Sequence, residues 1–483
     1  MSGQHSCPYI YAYTVSFSTD LRVVLARGVV YRHTKASALE SSFSTARKPN
    51  SVSMDTQSAY PFFSNLTTAS SQQLSGLSRI WAYYLLPAII AYPFLCRALR
   101  FRRIKGLQAK YKYGTPEHPS YEGMTVDEAY DIVRTTHDVE FPALFDKGLQ
   151  FALFRTYGIP TISDLLVKTT QLSKTQNVPR RYADTAVLLA DIYAGEPTSD
   201  RCTDAFARLN YLHGHYIKQG KISNDDMLYT LSLFLNQPVE WINRYEWRQL
   251  TDMEICAMGV FHKAMGDVMD ISFEALPSYS TGWKDGLHFY RELDAWAKQY
   301  EKDHMVPDKK NYDTAVETRK LLLSTYPTIL HGVLTKAISA PLDDRLREAV
   351  MFEKAPPLYV SLLNGFMGLR KLYLRYLALP RPWAMRPKLL SEKPDRKGRR
   401  YVLWWDTMPV YVKPTLWNRW GPGALVNMLL GVPRPGDRGM YPEGFEIKDV
   451  GPPVFVGKGS KEMDATKERL KNAQRGGCPF AVR

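Results

Sequence analysis

Helical periodicity dominates the chain after its first quarter. Apolar residues recur there at intervals of three and four, which is the spacing of an amphipathic helix, and strand-like alternation is scarce. Two Thr-x-x-Glu capping boxes, Thr125 with Glu128 and Thr251 with Glu254, mark helix starts. Beyond residue 380 the chain is rich in Pro and Gly. The pattern therefore predicts a mostly α domain, bundle-like, with an irregular C-terminal wrap.

The periodic stretches also predict individual helices. We expect helices over residues 181–193, 199–219 and 224–236, and a longer one over about 312–334. Pro238 is expected to end the third helix, because proline lacks the backbone N–H that continues a helix.

An apolar segment precedes this domain. Residues 80–96 form a run of 17 uncharged residues between Arg79 and Arg97, rich in Trp and Tyr, which favour membrane interfaces. The run is slightly short of the roughly 20 residues that usually span a bilayer. A buried core helix or an interfacial helix is the alternative. We predict a single transmembrane helix over residues 77–101.

The charged flank of this segment predicts its orientation. Residues 97–112 carry seven basic side chains and no acidic one, so the C-terminal side is expected to be cytosolic. The Ser- and Thr-rich residues 1–76 are then lumenal and expected to be disordered. A basic juxtamembrane linker over 102–122 leads into a cytosolic domain over 123–483.

Charge and cysteine content narrow the functional class. The net charge of +15 resides mainly in two segments, 97–112 and 370–400. No zinc finger, RNA-binding motif or basic recognition helix accompanies it, so we expect a membrane surface and no nucleic acid as the partner. Five scattered cysteines argue against a disulfide framework and a structural zinc site.

One histidine in the helix over 199–219 has the register of an inward-facing residue. His213 follows Phe206 by seven residues and Leu209 by four, whereas His215 falls on the opposite side of the helix. A neutral imidazole on an apolar helix face is a suitable axial ligand for haem iron. A core histidine bonded to a carbonyl is the alternative.

Other residues are candidates for a metal or ligand site on the same kind of evidence, their position on a helix face. His262 also faces inward, seven residues after Ile255, and is the runner-up metal ligand. On the preceding helix, Arg181 and Thr185 share a face, with Asp184 beside them, and this polar cluster could contact a ligand or O2. An ion pair between Arg181 and Asp184 at the helix start is the alternative.

Several strings resemble a known family. The runs FALFRTYGIPTISDLL, RRYADTAVL, ARLNYLHGHY and GKISNDDMLYTLSLF, followed by TGWKDGL and PTLWNRWGP, resemble the fungal, endoplasmic-reticulum-bound oxygenases of the mpaB type in order and spacing. The resemblance extends from about residue 80 to about residue 480. These proteins share a catalytic domain with the bacterial rubber oxygenases, the latex-clearing proteins.

The resemblance implies a cofactor and roles for the candidate residues. It implies a globin-like helical core that holds one haem b, with His213 as the iron ligand. It also implies a distal site from the RxxxT pattern, which Arg181 and Thr185 match. Asp184 stands where the rubber oxygenases have a lysine, so the oxygen-side chemistry is expected to differ.

The activity implied is an O2-dependent cleavage of a C=C bond. The substrate would be the prenyl or terpenoid chain of a lipophilic secondary metabolite, and the enzyme would sit in the endoplasmic reticulum membrane with a single span. Two alternatives remain open. One is a membrane-anchored scaffold of a biosynthetic complex that has lost catalysis, and the other is a haem monooxygenase that hydroxylates without cleavage.

Overall fold

A computed structural model describes residues 81–172, 174–473 and 475–480. The predicted lumenal segment 1–76 lies outside the described residues. The described chain divides into two units. One comprises the residues up to Arg102 together with Tyr373–Leu379, and the other comprises Arg103–Leu372 and the residues from Pro380 onward.

The first unit is built around the apolar segment. A π-helical turn, Trp81–Leu85, leads into helix α1, Leu86–Tyr111. Tyr83–Tyr111 is the one helix of the described residues that is long and apolar enough to cross a membrane. Helix α1 continues into residues that we assigned to the linker, because Arg, Lys, Leu, Gln and Ala all favour helix.

Helices dominate the remaining described residues, as predicted. They are α2 Val126–Thr135, α3 Pro142–Thr156, α4 Pro160–Lys168, α5 Val178–Ala194, α6 Asp200–Ile217, α7 Asn224–Tyr245, α8 Asp252–Val268, α9 Gly286–His304, α10 Lys309–Leu323, α11 His331–Ser339, α12 Asp344–Ala349, α13 Pro357–Tyr376, α14 Leu416–Trp420, α15 Pro422–Leu429 and α16 Ser460–Asn472. Outside these helices, β-type pairing in the described chain is limited to three isolated bridges. The mostly helical fold is confirmed, and the globin-like arrangement stays a prediction.

Both predicted capping boxes are present. The Thr125 side chain accepts a hydrogen bond from the Glu128 N–H at the start of α2, and Thr251 does the same for Glu254 at the start of α8. In each box the glutamate carboxylate accepts a hydrogen bond from the threonine N–H. These local signals therefore fix the N-termini of two helices.

The prediction that Pro238 ends its helix was wrong. Helix α7 passes through Pro238 and continues to Tyr245. A proline at this position leaves the Phe234 carbonyl without its helical partner, and the ring of His262 lies close to the Phe234 backbone. Helix α3 approaches closely here, since a Cβ on Gly148 would lie 2.6 Å from the Cα of Pro238. Neighbouring helices thus accommodate the proline.

The helix predicted over about 312–334 is interrupted. Helix α10 ends at Leu323, a 3-10 turn follows at Thr328–Leu330, and α11 begins at His331. Pro327 precedes the 3-10 turn and cannot donate the N–H that would continue α10. A proline therefore lies at the interruption of one predicted helix and is tolerated inside another.

Helices α8 and α9 approach each other closely at two glycines. Gly259 on α8 faces Gly286 at the start of α9, and a Cβ added to Gly259 would lie 2.0 Å from the Gly286 carbonyl oxygen. Because that atom belongs to the backbone, the neighbour cannot rotate away. The two glycines therefore set the separation of these helices.

We expect Gly259→Ala to lower the free energy of unfolding by about 3 kcal/mol or more, since an added methyl group must push two packed helices apart. Gly332→Ala is the control, because no atom lies within 4 Å of a Cβ built there and alanine favours helix. Chemical denaturation of both variants checks the prediction. Equal stability of the two would contradict it.

Candidate functional site

Helices α5 and α6 bring the main candidate residues together. They pack against each other as an antiparallel pair joined by residues 195–199. Arg181 near the start of α5 and His213 near the end of α6 are equally far from this connection, so the hairpin places them across from each other. The positive charge of Arg181 lowers the pKa of His213, which confirms their proximity.

His213 has the properties of an available imidazole ligand. Its Nδ1 atom is buried and has no hydrogen-bond partner among the described residues. Burial, and then the charge of Arg181, lowers its pKa to about 4. The ring is therefore neutral at physiological pH, as a metal ligand must be. His215, two residues later, is exposed and bonds to Gln219 at 2.9 Å, as its helical register predicted.

Arg181 and Thr185 form a pair on the face of α5. The Arg181 guanidinium donates to the Thr185 hydroxyl through Nη1. That hydroxyl in turn donates to the Arg181 carbonyl oxygen at 2.9 Å, one helical turn back. Thr185 thus accepts from the guanidinium while its own proton is used within the helix. Its chemical contribution here is to orient Arg181.

Asp184 lies outside this pair. Its carboxylate accepts a 2.6 Å hydrogen bond from the Tyr411 hydroxyl and also contacts the Gly451 backbone N–H. The ion pair at the helix start joins Asp184 to Arg180, with Nε and Oδ2 3.7 Å apart, and not to Arg181. Burial raises the pKa of Asp184 to about 6 against these favourable contacts. Asp184 therefore connects α5 to the C-terminal segment.

His262, the runner-up ligand, is engaged by protein groups on both ring nitrogens. Nε2 is 2.8 Å from the Tyr193 hydroxyl, and Nδ1 is 2.8 Å from the Met258 carbonyl oxygen. With Nδ1 donating to the carbonyl, Tyr193 donates to the Nε2 lone pair, and that lone pair is then unavailable to a metal. Burial lowers the pKa of His262 to about 4. His262 is therefore a core histidine whose two ring nitrogens both have hydrogen-bond partners.

Sequence reasoning missed Arg208, which positions the helix of His213. Arg208 is fully buried, with 0% of its surface exposed. It donates to the carbonyl oxygens of Val450 at 2.7 Å, Lys458 at 2.8 Å and Phe455 at 2.9 Å. These partners follow in the sequence by more than 240 residues. No local pattern signals such a contact.

The C-terminal segment also contacts α5 at a second buried carboxylate. Asp191 is fully buried and pairs with Arg201 of α6 and with Arg400. Burial raises the pKa of Asp191 in spite of these two guanidinium groups. Both helices that carry the candidate residues are therefore joined to each other and to residues beyond 380.

Comparison with known proteins identifies the class. No family model matches the chain. It is 44% identical to a protein named ER-bound oxygenase mpaB' from Penicillium brevicompactum over 402 residues, which cover 83% of this chain and 95% of the relative. ER-bound oxygenase mpaB from the same fungus is 41% identical, covering 77% and 88%. A Penicillium roqueforti (strain FM164) protein, also named ER-bound oxygenase mpaB, is 46% identical, covering 59% and 95%.

The similarity places the chain among oxygenases, and therefore among oxidoreductases. More narrowly, it belongs to the mpaB family of fungal ER-bound oxygenases. The resemblance inferred from the sequence motifs is thereby confirmed.

We expect Asp184→Asn to change how stability depends on pH. The pKa of Asp184 is raised from 3.8 to about 6 by folding, so the unfolded chain loses this proton at lower pH than the folded protein does. Wild-type stability should therefore fall as pH rises from about 4 to about 6, by about 3 kcal/mol from this group. Asn keeps an acceptor for Tyr411 and lacks the titration.

Denaturation of both proteins at pH 4 and pH 7 measures this difference. The stability of Asp184→Asn relative to wild type should rise toward pH 7. A difference that is constant with pH would contradict the raised pKa. Glu446→Gln, a partly exposed carboxylate in the same C-terminal segment, is the control.

Proposed function

We propose that this protein is a haem b-dependent oxygenase in which His213 binds the iron. The observation that carries the proposal is the His213 ring, whose buried Nδ1 has no hydrogen-bond partner among the described residues and whose pKa burial lowers to about 4. The residues fit such a group, because haem needs one axial imidazole and no larger set of protein ligands. Among the described residues no group of three or more His, Cys, Asp or Glu is arranged to hold a metal ion.

The contrast with His262 supports the choice of ligand. Burial lowers the pKa of both rings to about 4. Only the His262 ring has partners at both nitrogens. Making His262 a ligand would break its bond to Tyr193 and leave a buried hydroxyl unpaired, which costs about 1–3 kcal/mol. His213 requires no such loss.

Haem held by His213 would supply activation of O2 at its iron. The protein's own contribution comes from Arg181, whose guanidinium is permanently charged and carries several N–H donors. Thr185 holds it in place through the side-chain bond described above. Such a fixed donor can stabilise negative charge that builds on oxygen during the reaction. Asp184 cannot substitute for a lysine here, because it is occupied by Tyr411.

The reaction that we propose is oxidative cleavage of a C=C bond. The substrate is the prenyl or terpenoid chain of a lipophilic secondary metabolite, and the products carry carbonyl groups at the cleaved carbons. An apolar chain of this kind partitions into lipid, which explains why the enzyme is membrane-bound. The protein resides in the endoplasmic reticulum membrane, with one span near its N-terminus and the catalytic domain in the cytosol.

Two other functions would leave different products. A scaffold that has lost catalysis would bind no haem and would purify colourless, and the replacement of the expected lysine by Asp184 favours it. A haem monooxygenase would add oxygen without shortening the carbon chain. The product mass therefore separates hydroxylation from cleavage, and the absorption spectrum separates both from the scaffold.

We expect His213→Ala to abolish the haem absorption of the purified full-length protein, because the iron loses its protein ligand. His215→Ala is the matched control, since that ring is exposed and lies on the same helix. Absorption spectra and a pyridine haemochrome assay measure haem per chain. An unchanged Soret band in His213→Ala would sink the assignment, as would wild-type protein that folds but takes up no haem.

We expect Arg181→Gln to keep haem while losing activity. The substitution removes the positive charge near His213 and a donor on the oxygen side, and loss of one such donor typically lowers turnover by about 10²–10³-fold. Oxygen consumption with a prenylated substrate is the measurement. Arg180→Gln, which changes the neighbouring arginine that contacts Asp184, is the control. Equal turnover in the two variants would show that Arg181 has no special role.

A further inference from the structure

Helix α13 carries an apolar stripe on its outer face. The exposed large apolar side chains recur at helical spacing along its whole length: Leu358, Leu362, Phe366, Leu369, Leu372 and Tyr373. Leu369 is 70% exposed and Leu358 is 64% exposed. A soluble helix normally buries such a stripe and shows polar residues to water. Helix α13 does the reverse.

The inner face of α13 explains how the helix is held. Met367 is buried, and Arg370 donates to Glu246 at 2.8 Å on the end of α7. The helix is therefore docked through one face, and the stripe is what remains outside. Helix α13 contains no acidic residue and carries Arg370, Lys371 and Arg375 in its C-terminal third. The exposed apolar stripe and the absence of acidic side chains suit a lipid surface, including an anionic one.

The C-terminal end of α13 is attached to the membrane anchor. The segment Tyr373–Leu379 belongs to the same unit as the apolar part of α1. Within that unit Tyr92 donates to the Leu377 carbonyl oxygen at 3.0 Å, and Arg100 donates to the Ala378 carbonyl oxygen at 2.8 Å. Tyr92 lies inside the stretch that is long and apolar enough to cross the bilayer.

The apolar stripe leads along the same helix into the segment Tyr373–Leu379. A helix rises about 1.5 Å per residue, so Leu369 and Leu372 lie within roughly 10 Å, along the helix, of the segment that contacts the anchor. Exposed apolar side chains that continue into such a segment would be stabilised by lipid.

We propose that the outer face of α13 lies in the membrane interface, with the lipid bilayer as its occupant. The enzyme is thus held at the membrane by two elements, the spanning helix α1 and the interfacial helix α13. Helix α1 ends at Tyr111, and α13 begins 246 residues later, at Pro357. The inference goes beyond the proposed reaction and does not depend on the cofactor. It rests on the anchor being in the membrane, which the same experiment measures.

Lipid contact of the full-length protein tests the proposal. A polarity-sensitive fluorophore is attached to cysteines introduced as Leu362→Cys or Leu369→Cys, with Ile89→Cys in the anchor and Lys302→Cys on an exposed part of α9 as references. Cys478, which is only partly buried, is replaced by Ser in every variant, and Cys7 is replaced as well. Cys96, Cys202 and Cys256 are buried and are kept. The labelled proteins are reconstituted in phosphatidylcholine vesicles, with and without phosphatidylinositol.

We expect doxyl-labelled lipid to quench the fluorophores on α13 and at residue 89, and aqueous iodide to quench the one at residue 302. Phosphatidylinositol should increase the lipid quenching on α13. Quenching of the α13 labels by iodide would place the stripe in water, and protection from both quenchers would mean that protein covers it. Either result overturns the proposal, as does iodide quenching at residue 89. Haem content, measured on the same samples, reports on the proposed function separately.

Discussion

The fold of the candidate site depends on one buried cation. Arg208 places a guanidinium in the protein interior, and a charge there costs several kcal/mol unless its N–H groups are bonded. Its acceptors are backbone carbonyls of the chain between Val450 and Lys458. Carbonyl groups have fixed directions, so they define both the position of the C-terminal segment and the rotation of α6 about its axis. That rotation decides where His213 points.

Buried carboxylates do the same for helix α5. Asp184 bonds to Tyr411, and Asp191 pairs with Arg400, so two points along one helix are fixed by the same C-terminal region. The raised pKa values of both acids show that burial costs more than these partners return. These contacts fix the position of α5 but lower the stability of the folded protein. The result is a helix pair whose inner faces are held in register.

The sequence predicted most of the helices and the inward-facing histidine, because both follow from periodicity and from capping boxes such as Thr251 with Glu254. It misjudged Pro238, where the helix continues and where α3 and His262 lie close to the helix backbone. It placed Asp184 with Arg181, although a carboxylate 227 residues from its partner Tyr411 carries no local sign of that contact. The sequence motifs indicated the family, whereas contacts between residues far apart in the sequence could not be predicted.

The late position of the carbonyls that bind Arg208 has a consequence for biosynthesis. Helix α6 leaves the ribosome long before its partners, because Val450 follows Arg208 by 242 residues. Until then the Arg208 guanidinium stays hydrated, and no contact with these carbonyl oxygens fixes the rotation of α6 about its axis. If His213 ligates haem as proposed, the chain would acquire it only after the segment Val450–Lys458 has been synthesised. Truncation near the C-terminus would leave a membrane-bound chain that cannot mature.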